Sequence, residues 1–404
     1  MVKSRINPSL IKQILTLRYS TEIKSKIPRL SWMDFVGIKQ NVSVTKVEQI
    51  ITDNIKNNIE NSTRNKIIMA LSGGVDSTLI LNSLIKSVPD VKIKTLSVKF
   101  AESFDETEQA SKLADLLGVD NKILFIPNYL RELPAAISIV KLPMWDLHWY
   151  YVAKKSDSIS KLIVSGDGGD ELFGGYTFRY KKFLSLTRKN ATKQNKIIAY
   201  LQCHSRDWVV DQTKVFGKNA NFSWEEIYDI LDSYFDNPLN PLEQVFLADF
   251  NGKLRHNFSI VNTAINKHFG IKTITPLLSH KMISYAAHIP LDMKYDKQNN
   301  VGKIILRQII KKENLEKFVS QGKQGFSINT VNLWNSYGKE ICDYYLSDSR
   351  IAQDGWINQE WIRKKLKIKE IDVRTVNKFY GLLALEIWYK LFITKELKPS
   401  TKLV

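Results

Sequence analysis

The fold of this chain is decided by residues 66–78, which read KIIMALSGGVDST. Residues 66–71 form a short apolar run typical of a buried strand, and residues 77–85 indicate an apolar helix. The turn between them, Ser72-Gly73-Gly74, places consecutive backbone N–H groups at the start of that helix. Because these amides lack intrahelical partners and lie at the positive end of the helix dipole, we expect an anion site here.

The exact pattern of this turn matters for its interpretation. Hydroxyls of Ser72 and Ser77 can add donors to the backbone amides. No Gly-Lys-Ser/Thr closes the loop, so it is not a Walker phosphate loop. A lone Ser-Gly-Gly would also fit an ordinary strand-to-helix turn, but the full Ser-Gly-Gly-x-Asp-Ser between a strand and a helix is much more specific.

A second glycine-rich loop follows another short apolar strand, within residues 163–176, IVSGDGGDELFGGY. Glycine at this density permits backbone angles and close approaches that a Cβ would forbid. Alone, this stretch could be an elaborate structural turn. Together with the first loop, it indicates that the backbone passes close to a polar or anionic ligand.

The order of predicted elements indicates an α/β fold with a doubly wound parallel sheet. The pattern predicts strands at 66–71, 91–100, 122–126 and 162–164, and helices at 44–61, 77–86 and 105–117. Ligands of such sheets bind beyond the carboxyl ends of the strands, where both glycine loops fall. We divide the chain into an N-terminal extension (1–43), an α/β core (44–180) and a mainly helical C-terminal part (181–404).

Composition sets the broad class of protein. The chain has 404 residues, 44% of them hydrophobic, which is enough for a large core. No apolar run reaches eighteen residues and no apolar segment follows the charged start, so we expect neither a membrane span nor secretion, and therefore a cytoplasmic location. Cys203 and Cys342 lie far apart and have no metal-binding or redox spacing.

The net charge of +18 favours an anionic partner, such as ATP, a phosphorylated substrate or nucleic acid. The basic residues are spread along the chain, with one dense run at 363–369, RKKLKIK. A solvated helix face explains that run equally well. No aromatic–basic RNA motif accompanies the charge, so nucleic acid is the weaker alternative.

Several motifs resemble one enzyme family in the same chain order. Residues 72–77 resemble the pyrophosphate loop of ATP pyrophosphatases, which split ATP between its α- and β-phosphates. Residues 165–176 resemble a loop in the synthetase domain of asparagine synthetases and β-lactam synthetases. Three further matches are PLLSH at 276–280, GKIILR at 302–307 and GKQGF at 322–326. The resemblance covers residues 44–392 and implies an adenine nucleotide α-hydrolase-like ATP pyrophosphatase domain.

The resemblance implies a two-step reaction that uses ATP and Mg²⁺. A carboxylate attacks the α-phosphorus of ATP, and a nitrogen nucleophile then displaces AMP from the acyl-adenylate. Asp76 and Asp170 match the metal-associated carboxylates, and Lys323 matches the lysine that stabilises the departing pyrophosphate. Helix capping by the two aspartates and solvation of the lysine are the structural alternatives.

Asp167 is the position that bears on the nitrogen step. Asparagine synthetases carry Glu there, as a base or stabiliser for the incoming nitrogen, whereas β-lactam synthetases carry Tyr. Because Asp keeps the carboxylate, we expect Asp167 to be catalytic and the nucleophile to be external ammonia or an amine rather than part of a ring closure.

The nucleotide is expected to contact both loops and a neighbouring strand end. By analogy with the family, the contacting residues are Leu71, Ser72, Gly73, Gly74, Asp76, Ser77, Val98, Ser165, Gly166 and Lys303. Lys303 and Arg307 share a helix face, where they are either close to phosphate or simply exposed.

Two departures from the family limit the prediction. Residue 2 is Val and no cysteine precedes Cys203, so we expect that this chain does not hydrolyse glutamine itself. Nitrogen then comes as free ammonia, from a separate glutaminase partner, or as a substrate amine. The family's Val-Asp-Arg and Glu-x-Arg are replaced at 262–264 and 272–274, and Ser279 replaces an Asp. Loss of a structural ion-pair network or a pocket rebuilt for another acid would each explain these changes.

The sequence therefore predicts an AMP-forming amide ligase with aspartate as the default small-molecule acid. The alternatives are amidation of a specialised acid, such as a sugar, peptide or secondary metabolite, and ATP-dependent modification of nucleic acid such as tRNA. A non-catalytic ATP-binding protein is a further class, against which the presence of Asp76, Asp170 and Lys323 speaks.

Overall fold

A parallel sheet forms the centre of the molecule, as the sequence predicted. The computed structural model describes residues 6–36, 42–60, 66–188, 190–319 and 328–403. Within these ranges the strands are β1 (Lys66–Ala70), β2 (Lys92–Phe100), β3 (Asp120–Ile126), β4 (Leu162–Val164), β5 (Lys272–Ile274), β6 (Tyr295–Asp296) and β7 (Val301–Gly302). The first five strands form one sheet in the order β3-β2-β1-β4-β5, and β6 and β7 form a separate antiparallel pair.

All neighbours in the large sheet are parallel. The chain runs outward from β1 through β2 to β3 and then returns to place β4 on the other side of β1. The order of strands thus reverses between β1 and β4. Such a reversal leaves a crevice at the carboxyl ends of the two diverging strands.

Helices surround the sheet and make up most of the rest of the chain. Those of the first half are α1 (Pro8–Leu17), α2 (Val44–Glu60), α3 (Val75–Ser87), α4 (Thr107–Leu116), α5 (Leu133–Val140), α6 (His148–Asp157), α7 (Gly169–Phe173), α8 (Thr177–Leu186) and α9 (Lys193–Cys203). Those of the second half are α10 (Trp224–Phe235), α11 (Pro241–Asp249), α12 (Ser259–Phe269), α13 (His280–Ala287), α14 (Ile304–Lys312), α15 (Thr330–Leu333), α16 (Lys339–Leu346), α17 (Arg350–Gln353), α18 (Gln359–Leu366) and α19 (Val373–Phe392). A π-helical segment, Phe250–Phe258, joins α11 to α12.

The two faces of the sheet belong to two hydrophobic cores. Side chains alternate across a strand, so Ile67 and Met69 of β1 enter one core while Ile68 and Ala70 enter the other. The first core is completed by α2, α3, α4 and α14, and the second by α5, α6, α12 and α19. Helices on both faces confirm the doubly wound α/β class.

The stretch 181–404 is mainly helical, but it also supplies the edge strand β5. The N-terminal extension contains α1, whose Ile11 and Leu15 are buried in the second core. Periodicity did not predict either element. None of the helices in the described ranges is long and apolar enough to cross a membrane.

Candidate active site

Both glycine loops lie in the crevice between β1 and β4. The first loop follows β1 and leads into α3, and the second follows β4 and leads into α7. Because β1 and β4 are adjacent and parallel, their carboxyl ends bring the two loops to the same edge of the sheet. The topology therefore unites two motifs that are far apart in sequence.

The first loop is a closed turn held by its own serines. The hydroxyl oxygens of Ser72 and Ser77 lie 3.2 Å apart, and the Ser77 hydroxyl donates to the Gly74 carbonyl at 3.2 Å. Gly73 adopts a φ of 69°, a left-handed conformation that favours glycine. Gly74 is the N-cap of α3, and no side chain in the described part of the molecule caps that helix start. The start of α3 thus has the backbone geometry of an anion site.

Leu71 and Val98 contribute to the site differently from the serines. Leu71 is buried in the core, and its carbonyl accepts a hydrogen bond of 2.9 Å from the Ser97 hydroxyl. Val98 is buried in the second core, within the β2–β3 ladder. Both side chains pack in the protein interior, so any contact of these residues with a nucleotide would involve the backbone.

The second loop packs directly on the first, and two glycines make this possible. A Cβ added to Gly169 would lie 2.3 Å from Cγ of Asp76. One added to Gly166 would lie 2.9 Å from the backbone carbonyl carbon of Asp76. Side chains at either position would force the loops apart, so the glycines bring the second loop against the first turn of α3.

Lys303 joins the two loops through their aspartates. Its Nζ lies 2.5 Å from Oδ2 of Asp76 and 2.8 Å from Oδ1 of Asp170. Lys303 precedes α14 with a φ of 60°, and its backbone N–H donates to the Phe173 carbonyl at 3.0 Å. Three separate sequence motifs therefore supply the three charged groups of one cluster.

The charge state of Lys303 follows from this cluster. Burial by itself lowers the pKa of Lys303, but the carboxylates of Asp170 and Asp76 outweigh that effect and hold the pKa above its ordinary value. The lysine is therefore a permanent cation between two carboxylates. Arg307, one turn further along α14, donates from Nε to the Gly302 carbonyl at 3.0 Å. The Asp76 charge also acts on Arg307, although burial lowers the net pKa of this arginine.

Asp167 lies beside this cluster and is only partly exposed. Its Oδ2 accepts a hydrogen bond of 3.0 Å from the Ser165 hydroxyl. Burial raises the pKa of the Asp167 carboxyl, and this hydrogen bond opposes the rise. The negative charges of Asp76 and Asp170 add to the increase. Asp167 is consequently a better proton acceptor than an ordinary aspartate.

Asn262 contacts the same carboxylate, and the motifs did not predict this contact. Its Nδ2 lies 3.5 Å from Oδ2 of Asp167, a long hydrogen bond. Asn262 is the first residue of the segment that replaces the family's Val-Asp-Arg. The only signal in the sequence was that replacement, which did not reveal which group the new side chain would meet.

The other altered positions have structural partners. Ser279 is the N-cap of α13 and accepts from the backbone N–H of Met282 at 3.3 Å. Lys272 is exposed and donates to the Asn58 carbonyl at 3.2 Å, and Thr273 accepts from Asn266. These contacts favour the structural explanation for the changes at 272–279. Asn262, in contrast, contacts the candidate site through Asp167.

The cluster has the donor chemistry of a magnesium site. Mg²⁺ prefers oxygen ligands and is commonly held by one or two carboxylates plus phosphate oxygens. Asp76 and Asp170 supply two carboxylates that both reach one Nζ atom. Among the described residues, no group of three or more His, Cys, Asp or Glu could hold a metal alone. Phosphate oxygens and water would complete the coordination. The predicted Lys323 lies outside the described residues.

Comparison with protein families gives one match over most of the chain. The family model described as asparagine synthase matches residues 47–390. Asparagine synthetase [glutamine-hydrolyzing] 1 of Bacillus subtilis (strain 168) is 22% identical over 403 residues, which cover 90% of this chain and 62% of that protein. The putative asparagine synthetase [glutamine-hydrolyzing] of Mycobacterium tuberculosis (strain ATCC 25618 / H37Rv) is 34% identical over 122 residues, or 29% of this chain and 18% of that protein. The chain thus spans less than two thirds of the length of these relatives.

Solved structures give matches of low similarity. NMN synthetase from Francisella tularensis aligns with a TM-score of 0.28 and 13% identity, over 52% of this chain and 95% of that one. The NH3-dependent NAD synthetase from Campylobacter jejuni aligns with a TM-score of 0.27 and 16% identity, over 50% of this chain and 99% of that one.

Proposed function

Because this chain belongs to the asparagine synthase family, we propose that it is an ATP-dependent, AMP-forming amide ligase. In this proposal the enzyme adenylates a carboxylate and transfers ammonia or an amine to it. The observation that carries the proposal is the meeting of Asp76 and Asp170 on the Lys303 ammonium, at the point where the strand order reverses. The cluster combines a helix start with two carboxylates and one fixed cation, which suits a polyphosphate bound with a metal ion.

In the first step an oxygen of the acid attacks the α-phosphorus of ATP. The bond between the α-phosphorus and the oxygen that links it to the β-phosphate breaks, and pyrophosphate leaves. The amides at the start of α3 and the Ser72 and Ser77 hydroxyls would bind the leaving pyrophosphate. Asp76 and Asp170 would hold Mg²⁺, which when bound supplies positive charge to the phosphates. Lys303 would supply a further cation next to the developing charge.

In the second step the nitrogen nucleophile attacks the acyl carbon, and AMP leaves. The nitrogen must lose a proton as the amide forms. Asp167 would accept that proton, since burial and the neighbouring carboxylates raise its pKa. The hydroxyl of Ser165 would orient the carboxylate for this transfer.

Aspartate is the default substrate, since the family's name refers to asparagine. The Asn262 amide beside Asp167 favours a second candidate, a specialised acid whose polar group meets Asn262. In either case free ammonia, a separate glutaminase or a substrate amine would deliver the nitrogen.

The test is exchange of radioactive pyrophosphate into ATP, measured with a panel of carboxylic acids and with Mg²⁺, with and without ammonia. We expect one acid to support exchange, and ammonia or an amine to convert exchange into amide formation. Exchange with aspartate would select the default substrate. Exchange that requires tRNA and no small acid would instead support nucleic-acid modification.

Variants separate the two steps. Asp76→Asn and Asp170→Asn should each reduce exchange by about 100-fold or more, because the transition state loses charge stabilisation. Asp167→Asn should keep exchange and lose amide formation. Asp115→Asn, an exposed aspartate on α4, is the matched control and should retain both activities. If Asp170→Asn exchanged pyrophosphate at the normal rate, the assigned site would be wrong.

A further inference from the structure

β3 forms an open edge of the large sheet. It is the first strand in the order β3-β2-β1-β4-β5, and all of its residues, Asp120–Ile126, pair with β2. The strand contains no proline and its pairing with β2 is regular along its whole length. In the part of the chain that the structure describes, no other strand or bridge meets its outer side. A long, regular edge of this kind is a template for a further strand.

The direction of the backbone identifies the groups on this open side. The carbonyl of Ile126 accepts from the N–H of Ala101 at 3.1 Å, on the side of β2. Successive residues of a strand direct their N–H and C=O groups to alternate sides. The groups of Asn121, Ile123 and Phe125 therefore point to the open edge, where an added strand would bond them.

The side chains of β3 add an apolar surface beside these backbone groups. Ile123 is 47% exposed and Phe125 is 53% exposed. Leu124 packs against the second core, so Ile123 and Phe125 lie on the opposite face of the sheet, which carries α4. Leu116, at the end of α4, is 55% exposed. The open edge thus combines unpaired backbone with apolar side chains that water solvates poorly.

The local charge of this edge differs from that of the whole chain. A net charge of +18 makes two copies repel each other in most orientations. The ionisable residues of α4 and β3 are nearly balanced, namely Glu108, Asp115, Asp120, Lys112 and Lys122. Two copies can therefore meet at this edge without strong repulsion. A nucleic acid or an acidic protein would find no excess of positive charge here.

We propose that β3 pairs antiparallel with β3 of a second copy of this chain, about a two-fold axis at Ile123. In this register Ile123 lies opposite its own counterpart, and Asn121 lies opposite Phe125 of the second copy. Every outward residue then belongs to a hydrogen-bonded pair, and each such pair exchanges two bonds. Lys122 lies opposite Leu124, so the lysines of the two copies are not directly opposed.

The contact is self-complementary, as two-fold symmetry requires, and it joins the two five-stranded sheets into one. A strand from another protein would need a matching free edge of its own, whereas a second copy supplies the same three residues. The proposal concerns assembly and does not rest on the amide ligase function.

The first test is sedimentation velocity of the full chain over a range of concentrations. We expect a monomer–dimer equilibrium with a Kd of about 10 µM, because a single strand pair makes a small interface. Ile123→Lys places two like charges directly opposite each other at the axis and should raise the Kd at least about ten-fold. Val210→Lys, at an exposed apolar position outside β3, is the matched control and should leave the Kd unchanged.

Disulfide cross-linking tests the register. Ile123→Cys should form a linked dimer on oxidation with copper–phenanthroline, because directly opposed Cα atoms at the axis lie about 5.5 Å apart, within disulfide reach. Phe125→Cys is the control, since its two copies would lie about 13 Å apart along the strands and should not link. The unaltered chain, which keeps Cys203 and Cys342, measures the background of cross-linking.

Three results would overturn the proposal. They are a chain that stays monomeric up to about 100 µM, a dimer that folded Ile123→Lys leaves intact, and equal cross-linking at residues 123 and 125. Near-ultraviolet circular dichroism checks the folding of each variant. The mass of the unaltered chain and the two cysteine variants decide the matter even if Ile123→Lys fails to fold.

Discussion

The carboxylate of Asp167 is held in an environment that disfavours its charge. Its Oδ2 has the Ser165 hydroxyl and the more distant Asn262 amide as partners, while Asp76 and Asp170 lie near enough to repel it. The environment that makes Asp167 a good proton acceptor therefore also lowers the stability of the folded state when this carboxylate is charged. Functional sites commonly show this conflict between activity and stability.

We predict that Asp167→Asn makes the protein more stable at pH 7 and less active. The pKa of the Asp167 carboxyl is higher in the folded state than in the unfolded state, so protonation of this group favours the folded state at low pH. This contribution to stability is lost as the pH rises through the folded-state pKa. Replacing the carboxylate with an amide removes that loss. Amide formation should fall about 100-fold through loss of the base.

The measurement is the thermal unfolding midpoint of both proteins between pH 4 and pH 8. The stability advantage of the variant should shrink toward pH 4, where the native carboxyl takes up its proton. A variant that is less stable than the parent at pH 7 would contradict the assigned environment. Asp115→Asn is the control and should show no such pH dependence.

At the scale of elements, α17 depends on a buried carboxylate from another helix. Glu386 of α19 is fully buried and accepts from the Ser349 hydroxyl at 2.7 Å and from the backbone N–H groups of Arg350 and Ile351 at 3.0 and 3.2 Å. These bonds satisfy the start of α17, where backbone donors lack intrahelical partners. One side chain thus fixes a short helix to the C-terminal helix.

We predict that Glu386→Gln destabilises the protein by about 2–3 kcal/mol, because an amide replaces a charged acceptor of three hydrogen bonds and turns one acceptor atom into a donor. Urea unfolding followed by circular dichroism would measure the change. Glu360→Gln, an exposed glutamate on α18, should change stability far less. Equal effects of the two substitutions would show that the buried bonds contribute nothing.

The elements closest to the site were predictable because local sequence determines them. The strand–glycine–helix pattern gave β1 and α3, and the run before Ser165 gave β4 at its observed bounds. β5 was missed although it has the same length as β4, because its residues, Lys272–Ile274, form no apolar run and no glycine loop follows them; it forms by pairing with β4. The salt bridges from Lys303 to Asp76 and Asp170 join residues far apart in the chain, so no local pattern could reveal them.

The whole molecule carries a net charge of +18, which repels itself within a compact fold. We predict that raising NaCl from about 0.01 to 0.15 M increases the thermal unfolding midpoint at pH 7, because the screening length falls from about 30 to 8 Å. Individual surface ion pairs weaken under the same conditions, and we expect the excess of like charge to be the larger effect.

The same salt series near pH 9.5, the pI calculated from the sequence, is the internal control. There the net charge approaches zero, and the salt-induced rise should largely disappear. A midpoint that fell with salt at pH 7 would mean that attractive ion pairs outweigh the net repulsion.

The position of Lys303 has a consequence for how the crevice forms during folding. Two carboxylates that meet at one point repel each other unless a cation lies between them. Here the chain carries its own counter-ion, so the crevice can form during synthesis and persist in a cell whose free magnesium varies. In the proposed reaction, Mg²⁺ would then bind together with ATP and would not be required for folding.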